Sequence, residues 1–408
     1  MKIKSSLVFS VVVISLGNVW LSQKPSSKIE SNSDNKNENN RIMLHSIKLK
    51  LDTISELLVK GERSLELSEP DPNEQKTEPK DPYKCMDCLL KLPVRDKQNT
   101  PEGESVYSQQ RDYPVLISKP HLDKNYPKTN KKPIKVLYAI KSICDSHTQR
   151  NAVRNTWANS AFNHFHTNHD SSLVFLLGAC ENSEQQEKLE EEDFYTKDII
   201  QWDFYDSFRN LTVKECLFLQ FSKRNLTVVT HIYRGDDDVF VNPIALGEVL
   251  NTQVNNNNIC AGVVIERALP QRSQEGLDSK YFVSRTEYPL EKFPPYVSGE
   301  GYIISKELTD KLFNASLFSY MFSNNDAFVG VLLETVKKWP TEYHYFRKWG
   351  NDFNGNPEDG CFWQEEVLTY HSVTPAEMIK AWGLYVDSME SCGSSFGDRL
   401  HAGMGWID

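Results

Sequence analysis

Hydrophobic and polar residues divide the chain into an apolar beginning, a long polar segment and a large remainder. Residues 7–21 are mostly apolar, residues 22–132 are mostly polar, and from Lys135 short apolar runs alternate with amphipathic stretches. Alternating strand-like and helix-like patterns are typical of an α/β domain. We therefore predict a membrane-associated segment at 1–21, a stem at 22–132 and one α/β domain at 133–408.

Four apolar runs predict strands of the domain's sheet. They cover residues 136–140, 173–177, 198–202 and 231–234. Helical spacing of apolar residues between these runs predicts helices at about 147–158, 183–194 and 211–223. The segment with this pattern is about 275 residues long, which we interpret as one domain.

The amino terminus has the charge and apolarity of a secretory signal. Lys2 and Lys4 precede the apolar run at 7–21. About fifteen apolar residues are long for a cleaved signal and short for a membrane span of about 20. A cleaved signal with Ser15 and Gly17 at the cleavage site stays open, and we take an uncleaved signal anchor as the prediction. Both interpretations bring the remainder of the chain into the secretory pathway.

The polar segment from 22 to 132 has the composition of a stem. Ten of the 19 prolines fall between Pro70 and Pro133, which favours extended and weakly packed backbone. One helix is predicted inside it by apolar residues at heptad spacing. It either packs on the domain or pairs two stems in a homodimer. These heptad residues are Leu44, Ile47, Leu51, Ile54 and Leu58.

Cysteines and glycosylation sequons agree with a luminal location. The eight cysteines are an even number, which suits disulfides. Cys85 and Cys88 have the spacing of half a zinc site, but no second pair follows, so we prefer disulfides of unassigned pairing. Three sequons offer N-glycosylation sites at Asn210, Asn225 and Asn314.

The charge distribution argues against nucleic-acid binding. The net charge is −10, and residues 133–408 hold 24 Lys and Arg against 38 Asp and Glu, with no basic cluster. An anionic ligand of this domain must therefore be held by a few arginines or by a metal ion. His164, His166 and His169 have ligand-like spacing, but their polar surroundings favour an exposed loop.

The most informative segment is the run of three acids at the end of the fourth predicted strand. Asp236, Asp237 and Asp238 would repel one another if they were buried without a counter-charge. A hard cation such as Mn²⁺ or Mg²⁺ removes that cost and leaves room for substrate phosphates. Ligands of open α/β sheets bind beyond the carboxyl ends of the strands, so this position suits a metal–diphosphate site. A solvated acidic turn is the alternative.

This segment, Asp236-Asp237-Asp238-Val-Phe-Val-Asn242, resembles the DDDVFVN signature of the Golgi β-1,3-galactosyltransferases and β-1,3-N-acetylglucosaminyltransferases, glycosyltransferase family 31. Four further segments resemble family motifs, in chain order, and the resemblance covers about 133–390. They are Arg150-Asn-Ala-Val-Arg154-Asn-Thr156-Trp157, Asp203-Phe-Tyr-Asp206-Ser-Phe-Arg-Asn210-Leu-Thr212, Pro294-Pro295-Tyr296-Val-Ser298-Gly299-Glu-Gly301-Tyr302 and Asn325-Asp326-Ala-Phe-Val-Gly330.

The resemblance implies a GT-A-type nucleotide-sugar-binding domain, a UDP-sugar donor, a glycan acceptor and inversion at the anomeric carbon. It also implies a type II, single-pass protein of the Golgi membrane that uses Mn²⁺ or Mg²⁺. By resemblance, Asp326 is the catalytic base, although a helix N-cap is an alternative role at that position. Asp238 is the metal ligand, assisted by Asp236 and, more weakly, by His371.

The remaining site residues carried over by resemblance concern the donor. Arg150 and Arg154 lie four apart, hence on one helix face, and suit the uracil and diphosphate end; a solvated basic face is the alternative. Asp236 and Asp237 support the ribose and the metal waters. Gly299 and Gly301 let the backbone approach the donor sugar.

Two departures from the family pattern lie beside the predicted base. Asn325 replaces an acid, and Ala327 replaces a larger apolar residue. They leave a catalytically inactive, carbohydrate-binding relative open as an alternative to the enzyme. A phosphoryl hydrolase with two metals is disfavoured because no further ligand pairs occur at suitable spacing. The motifs do not decide between galactose and N-acetylglucosamine as the donor sugar.

Overall fold

The computed structural model describes residues 108–119, 122, 134–252, 258–343, 346 and 356–392. The predicted anchor at 1–21, the heptad segment and the pair Cys85 and Cys88 lie outside these residues, so those interpretations stay predictions. Among the helices of the described part, none is both long and apolar enough to cross a bilayer.

Ten strands form one large sheet and one small one. The large sheet has eight strands in the order β1-β4-β3-β2-β5-β8-β7-β9, and β6 pairs with β10 in the small sheet. The bounds are β1 Val115–Ile117, β2 Ile134–Lys141, β3 His169–Ala179, β4 Ile199–Tyr205, β5 His231–Asp236, β6 Phe240–Val241, β7 Cys260–Ile265, β8 Tyr296–Ser305, β9 Thr341–Glu342 and β10 Thr369–Tyr370.

Nine α-helices are present in the described residues. They are α1 His147–Asn155, α2 Ser160–His166, α3 Ser183–Thr196, α4 Leu211–Asn225, α5 Pro243–Thr252, α6 Lys306–Ser316, α7 Asn325–Thr335, α8 Gly360–Glu365 and α9 Pro375–Asp387. Short 3₁₀ turns occur at Phe208–Asn210 and Leu277–Tyr281. The seven helices and strands predicted between residues 136 and 234 are confirmed, each within a few residues of its expected bounds.

The sheet is parallel from β4 to β5 and mixed towards its two edges. Strand β2 pairs in parallel with β3 and β5, and β3 pairs in parallel with β4. Strand β8 runs antiparallel to β5. The carboxyl ends of β2, β3, β4 and β5 therefore share one edge of the sheet, where open α/β sheets bind ligands.

Two apolar cores cover the two faces of the sheet, as the alternation along β2 shows. Val136, Tyr138 and Ile140 face the core that includes buried residues of α1, α3, α5 and α9. Leu137 and Ala139 face the core that includes α4, α6 and α7. Successive strand residues point to opposite faces, so a strand that is apolar throughout is buried on both sides. The result is a mixed α/β fold with a central sheet.

Part of the segment assigned to the stem packs on this domain. Strand β1, at Val115–Ile117, pairs antiparallel with β4. The side-chain amide of Gln109 donates to the Met321 carbonyl and accepts the Met321 N–H, at 2.8 Å each. Leu122 is buried as well. The sequence did not indicate this contact because the segment is rich in proline and charge.

Two disulfides close loops of the domain. Cys144 bonds Cys180, and Cys361 bonds Cys392. Cys216 and Cys260 are free and buried, and burial raises the pKa of each thiol to about 12. A buried neutral thiol packs as a small apolar side chain.

The expectation that the histidine cluster forms an exposed loop is wrong. His164 and His166 belong to α2, and His169 begins β3 with no exposed surface. Each histidine has a different partner: His164 contacts Asp170 at 2.8 Å, His166 stacks on Phe162, and His169 contacts the Tyr138 hydroxyl at 3.2 Å. Histidines with separate partners do not form a metal site.

We predict that Trp157→Ala destabilises the domain by about 3–5 kcal/mol, the usual range for removing a buried tryptophan. Trp157 is fully buried and lies edge to face with Tyr138 and Tyr233, at centroid distances of 5.3 and 6.1 Å. Chemical denaturation measures the loss. Trp339→Ala is the matched control because this tryptophan is 58% exposed. Equal losses in the two variants would contradict the assignment of Trp157 to the core.

Candidate active site

The three acids predicted from the sequence lie at the carboxyl edge of the sheet. Asp236 ends β5 and pairs in register with Lys141, which ends β2. Asp237 and Asp238 follow in the turn before β6. All three residues are half-buried.

Lys141 supplies the counter-charge that these acids need. Its buried ammonium lies 2.9 Å from Asp236 Oδ1 and donates a hydrogen bond to the Gly299 carbonyl at 3.0 Å. Burial alone lowers the pKa of Lys141, but the carboxylates of Asp236 and Asp326 outweigh it and the net pKa is raised. Lys141 therefore stays charged and joins β2, β5 and β8 at the site.

Asp237 is directed back towards the fold. Its Oδ2 accepts a hydrogen bond of 2.6 Å from the Ser142 hydroxyl. Burial raises the pKa of Asp237 to about 6; Ser142 opposes this rise, and the charges of Asp236 and Asp238 add to it. Asp237 is therefore less available as a ligand than its two neighbours.

Asp236, Asp238 and His371 converge on one point. One ligand atom from each lies within 4.8 Å of the others, and His371 Nε2 is 3.5 Å from Asp238 Oδ1. Asp238 Oδ1 is buried and accepts no hydrogen bond. Burial raises the pKa of Asp238, and the neighbouring His371 opposes the rise. Two carboxylates, one with an unsatisfied oxygen, and one imidazole suit a divalent ion such as Mn²⁺.

A second group of potential ligands does not form a metal site. Cys361, Glu365 and Cys392 also lie close together, but the two cysteines are joined in a disulfide and cannot act as thiolates.

Asp326 is linked to Lys141 through Gly299, whose carbonyl accepts from the lysine. Its carboxylate accepts the Gly299 N–H at 3.0 Å and a weaker hydrogen bond from the Asn325 amide at 3.3 Å. Burial raises the pKa of Asp326, Lys141 opposes the rise, and Asp236 adds to it. The alternative role as helix cap is wrong, because Asn324 caps α7 by accepting the Ala327 N–H. Asp326 is therefore free of a capping role.

The two glycines of β8 make room for side chains of this chain. A Cβ at Gly299 would overlap the carboxylate of Asp326, and a Cβ at Gly301 would overlap the Tyr233 hydroxyl. Glycine is thus required at these two positions because the side chains of Asp326 and Tyr233 fill the space that a Cβ would take. Contact of either glycine with a donor sugar stays a prediction.

Arg150 and Arg154 join α1 to the neighbouring α3. Arg150 has no exposed surface and binds both carboxylate oxygens of Glu192, at 2.8 and 2.6 Å. Arg154 binds Asp198 and reaches Glu192 at 2.7 Å. Burial would raise the pKa of Glu192, but these arginines and His147 lower it to about 2.

Arg150 reaches the acidic run only through Ser142. Its Nη1 donates to Ser142 Oγ at 3.0 Å, and Ser142 in turn contacts Asp237. Arg150 is thus linked to the site by the side chain of Ser142, whereas Arg154 binds Asp198. Direct contact of these arginines with the donor stays a prediction.

Lys214 is a second buried lysine that the sequence did not single out. Its ammonium donates to the Ser142 carbonyl at 2.8 Å and to Asp206 Oδ2 at 2.9 Å. Asp206 also accepts the Gly178 N–H at 2.7 Å. Burial lowers the pKa of Lys214. These bonds tie the ends of β2, β3 and β4 together beside the acidic run.

Sequence reasoning missed Lys141, Ser142 and Lys214. One signal was available for Lys141: it is a lysine that directly extends an otherwise apolar strand, which is unusual for a fully buried β-strand. Lys214 lies inside a helix and has no comparable signal. Both lysines are needed to balance carboxylates that the sequence did reveal.

The three sequons occupy different surroundings. Asn314 is exposed on α6, whereas Asn210 and Asn225 are half-buried at the two ends of α4. Asn210 donates to the Tyr205 carbonyl at 2.8 Å, and Asn225 donates to the Phe221 carbonyl at 3.0 Å. Their glycosylation stays a prediction.

The chain is similar to a known protein family and to named relatives. A family model described as galactosyltransferase matches residues 148–342. The UDP-GlcNAc:betaGal beta-1,3-N-acetylglucosaminyltransferase 7 of Rattus norvegicus is 32% identical over 300 residues, which are 71% of this chain and 72% of that protein. The matched regions include β5, β8 and the start of α7.

Two further relatives have names of the same kind. N-acetyllactosaminide beta-1,3-N-acetylglucosaminyltransferase 4 of Mus musculus is 31% identical over 260 residues, 64% of this chain and 73% of that protein. The corresponding enzyme 3 of Homo sapiens is 29% identical over 296 residues, 71% of this chain and 76% of that protein.

We predict that Asp238→Asn and His371→Ala each weaken Mn²⁺ binding in the presence of UDP. The loss should exceed the roughly 10- to 100-fold caused by losing an outer-shell partner, because a ligand itself is removed. Electron paramagnetic resonance of free Mn²⁺ measures the affinity. Asp203→Asn and His147→Ala are matched controls, since both residues are exposed and neither belongs to the group of potential ligands. Unchanged affinity in both site variants would contradict this metal site.

Proposed function

Because the chain belongs to the galactosyltransferase family, which includes the β-1,3-N-acetylglucosaminyltransferases, we propose that it transfers a sugar from a UDP-sugar to a glycan hydroxyl in β-1,3 linkage. The observation that carries the proposal is the arrangement around Lys141. A buried ammonium lies 2.9 Å from Asp236 and within electrostatic reach of Asp326. The proposal includes a GT-A-type site for the nucleotide sugar at this edge of the sheet.

We propose N-acetylglucosamine as the transferred sugar and a β-linked galactose as the acceptor. The relatives' names support this choice, since the rat protein is named for UDP-GlcNAc and betaGal, and the mouse and human proteins are named for N-acetyllactosaminide. Galactose as the donor sugar is the alternative that assays with both nucleotide sugars decide.

In the proposed reaction, Asp326 accepts the proton of the acceptor hydroxyl. The acceptor oxygen then forms its bond to the anomeric carbon as the bond from that carbon to the diphosphate oxygen breaks, and UDP leaves from the opposite face. A single displacement of this kind inverts the anomeric configuration. The Gly299 N–H and the Asn325 amide orient the carboxylate of Asp326 for proton transfer.

Asp236, Asp238 and His371 would hold the divalent ion beside the diphosphate. A bound ion of this kind neutralises charge that develops on the leaving UDP. Lys141 contributes in a different way: its ammonium offsets the electrostatic repulsion between the carboxylates of Asp236 and Asp326.

The carbohydrate-binding alternative has no observation in its favour. The departures at Asn325 and Ala327 leave Asp326 in place, with two hydrogen bonds to its carboxylate. The phosphoryl hydrolase needs a second metal. Within the part of the chain that the structure describes, Asp236, Asp238 and His371 are the one group of potential ligands that contains no disulfide.

We further propose that the chain is a type II protein of the Golgi membrane, anchored by residues 1–21 with the domain in the lumen. The two disulfides support the luminal side, because such bonds persist in oxidising compartments. Homodimer formation through the heptad segment belongs to the same proposal and is supported by the sequence pattern alone.

We predict that Asp326→Asn lowers kcat by at least about 100-fold, since general base catalysis typically contributes 10²- to 10⁴-fold. Affinity for UDP and Mn²⁺ should stay unchanged, because Asp326 is not a ligand. Burial raises the pKa of Asp326, so wild-type activity should fall with decreasing pH at a higher pH than an ordinary aspartate would give. Asp203→Asn is the control, and retained turnover in Asp326→Asn would overturn the assignment of the base.

We also predict that Asn325→Asp moves the acidic limb of the pH–rate profile to higher pH. The Asn325 amide donates to Asp326 and lowers the pKa of that carboxylate, whereas a second carboxylate would raise it. Asn324→Asp adds the same charge one residue earlier and keeps the helix cap, so it should shift the limb less. Equal shifts in both variants would show that the hydrogen bond has no specific effect.

A further inference from the structure

The end of the segment assigned to the stem is bound to the chain between α6 and α7. We refer to residues 108–119 as the strap and to residues 317–324 as the α6–α7 connection. Gln109 Nε2 donates to the Met321 carbonyl and Gln109 Oε1 accepts the Met321 N–H, across 212 positions of the sequence. A planar amide that bonds both polar groups of one backbone residue fixes its position and its orientation.

Arg111 of the strap fixes the beginning of the same connection. Its guanidinium donates to the Ser316 carbonyl at 3.3 Å and to the Ser319 carbonyl. Ser316 ends α6, where the last carbonyls of a helix have no partner within it. The same guanidinium donates to the Gln109 carbonyl at 3.0 Å. The two strap residues therefore hold each other as well as the connection.

Other residues of the strap attach it to the domain without Gln109. Strand β1, which lies in the strap, pairs with β4. Tyr113 meets Phe204 edge to face at a centroid distance of 5.9 Å, and Lys119 pairs with Asp193 of α3 at 2.7 Å. Substitution of Gln109 alone should therefore leave the strap in place and remove its bonds to Met321.

The next residues of the α6–α7 connection have partners elsewhere in the domain. Thr212 of α4 donates to the Phe322 carbonyl at 2.7 Å, and the Ser323 hydroxyl donates to the buried Glu287 at 2.8 Å. Met321, Phe322 and Ser323 are thus each held by a different side chain. Three consecutive residues fixed in this way determine where the following helix starts.

That helix carries the proposed base in its first turn. Asn324 caps α7, and Asp326 follows two residues later. The Asp326 carboxylate lies so close to Gly299 that a Cβ there would overlap it, and it accepts the Gly299 N–H at 3.0 Å. A hydrogen bond depends on distance and angle, so a shift of α7 by about 1 Å would break this contact.

Removal of the Gln109 amide would disturb the connection because Met321 has no exposed surface. Its N–H and carbonyl would lose the bonds that Gln109 supplies, in a place that solvent does not reach. Buried backbone groups without partners are costly, so the connection would move to find other partners.

We propose that Gln109 is a positioning residue for the transfer reaction: it fixes Met321 and thereby the start of α7, which places the Asp326 carboxylate for proton transfer. This inference rests on the proposed function. A displacement of about 1 Å caused by a substitution far from the reacting atoms can lower a rate by about 100-fold. The strap is then a working part of the catalytic domain rather than a spacer.

The test is Gln109→Leu in the full chain. We expect kcat to fall roughly tenfold, within the range for a misplaced reacting group. The KM for the donor and the affinity and stoichiometry of UDP and Mn²⁺ binding should not change, since Asp236, Asp238 and His371 lie outside the α6–α7 connection. Arg111→Met removes the bonds to Ser316 and Ser319 and should lower kcat in the same way.

Gln110→Leu is the matched control. Gln110 is exposed, and its side chain donates to the Asp112 carbonyl within the strap at 2.9 Å. The same substitution one residue later should leave kcat unchanged. An unaltered kcat in Gln109→Leu and Arg111→Met, or an equal fall in Gln110→Leu, would overturn the role of Gln109.

A second background separates positioning from a general loss of folded protein. Asp326→Asn removes the base, so adding Gln109→Leu to it should lower the residual kcat by less than twofold if Gln109 acts through Asp326. An equal tenfold fall in both backgrounds would overturn the proposal, because partial unfolding lowers every activity alike. Absence of transfer by the wild type would instead overturn the proposed function itself.

Discussion

The site depends on one interaction, the buried Lys141 ammonium between Asp236 and the Gly299 carbonyl. Four carboxylates, those of Asp236, Asp237, Asp238 and Asp326, gather at one sheet edge and would repel one another without it. Removal of either partner from a pair of this kind leaves a buried charge without compensation. Because Lys141 ends β2, the central strand pairing fixes its place, and the large sheet sets the geometry of the acids.

The surroundings of Lys141 give the carboxylates different properties. Asp237 bonds Ser142 and has its pKa raised to about 6, whereas Asp236 and Asp238 are turned towards His371. Asp326 accepts hydrogen bonds from the Gly299 N–H and the Asn325 amide. Carboxylates in different environments take different roles, and the proposed function assigns metal binding to Asp236 and Asp238 and proton transfer to Asp326.

Features with a local sequence signal could be predicted. The strands from β2 to β5 were found because each contains a short stretch rich in apolar residues, and the acidic run was found because it lies at the end of one of them. Asp326 and His371 required the resemblance to the family, since nothing local in the sequence shows that they lie near the acidic run. The histidine cluster was misread because its polar neighbours hide the fact that His169 begins a buried strand. Lys214 and the contact of Gln109 with Met321 depend on long-range packing that sequence spacing does not reveal.

The central claim is that this carboxylate arrangement carries out inverting transfer to a glycan. The most direct measurement is nuclear magnetic resonance of the product formed by the full chain from UDP-N-acetylglucosamine, Mn²⁺ and a terminal β-galactoside. The account predicts a β-linked N-acetylglucosamine on the C3 hydroxyl of galactose, with one UDP released for each linkage. An α-linked product, or UDP release that yields only free sugar, would contradict it.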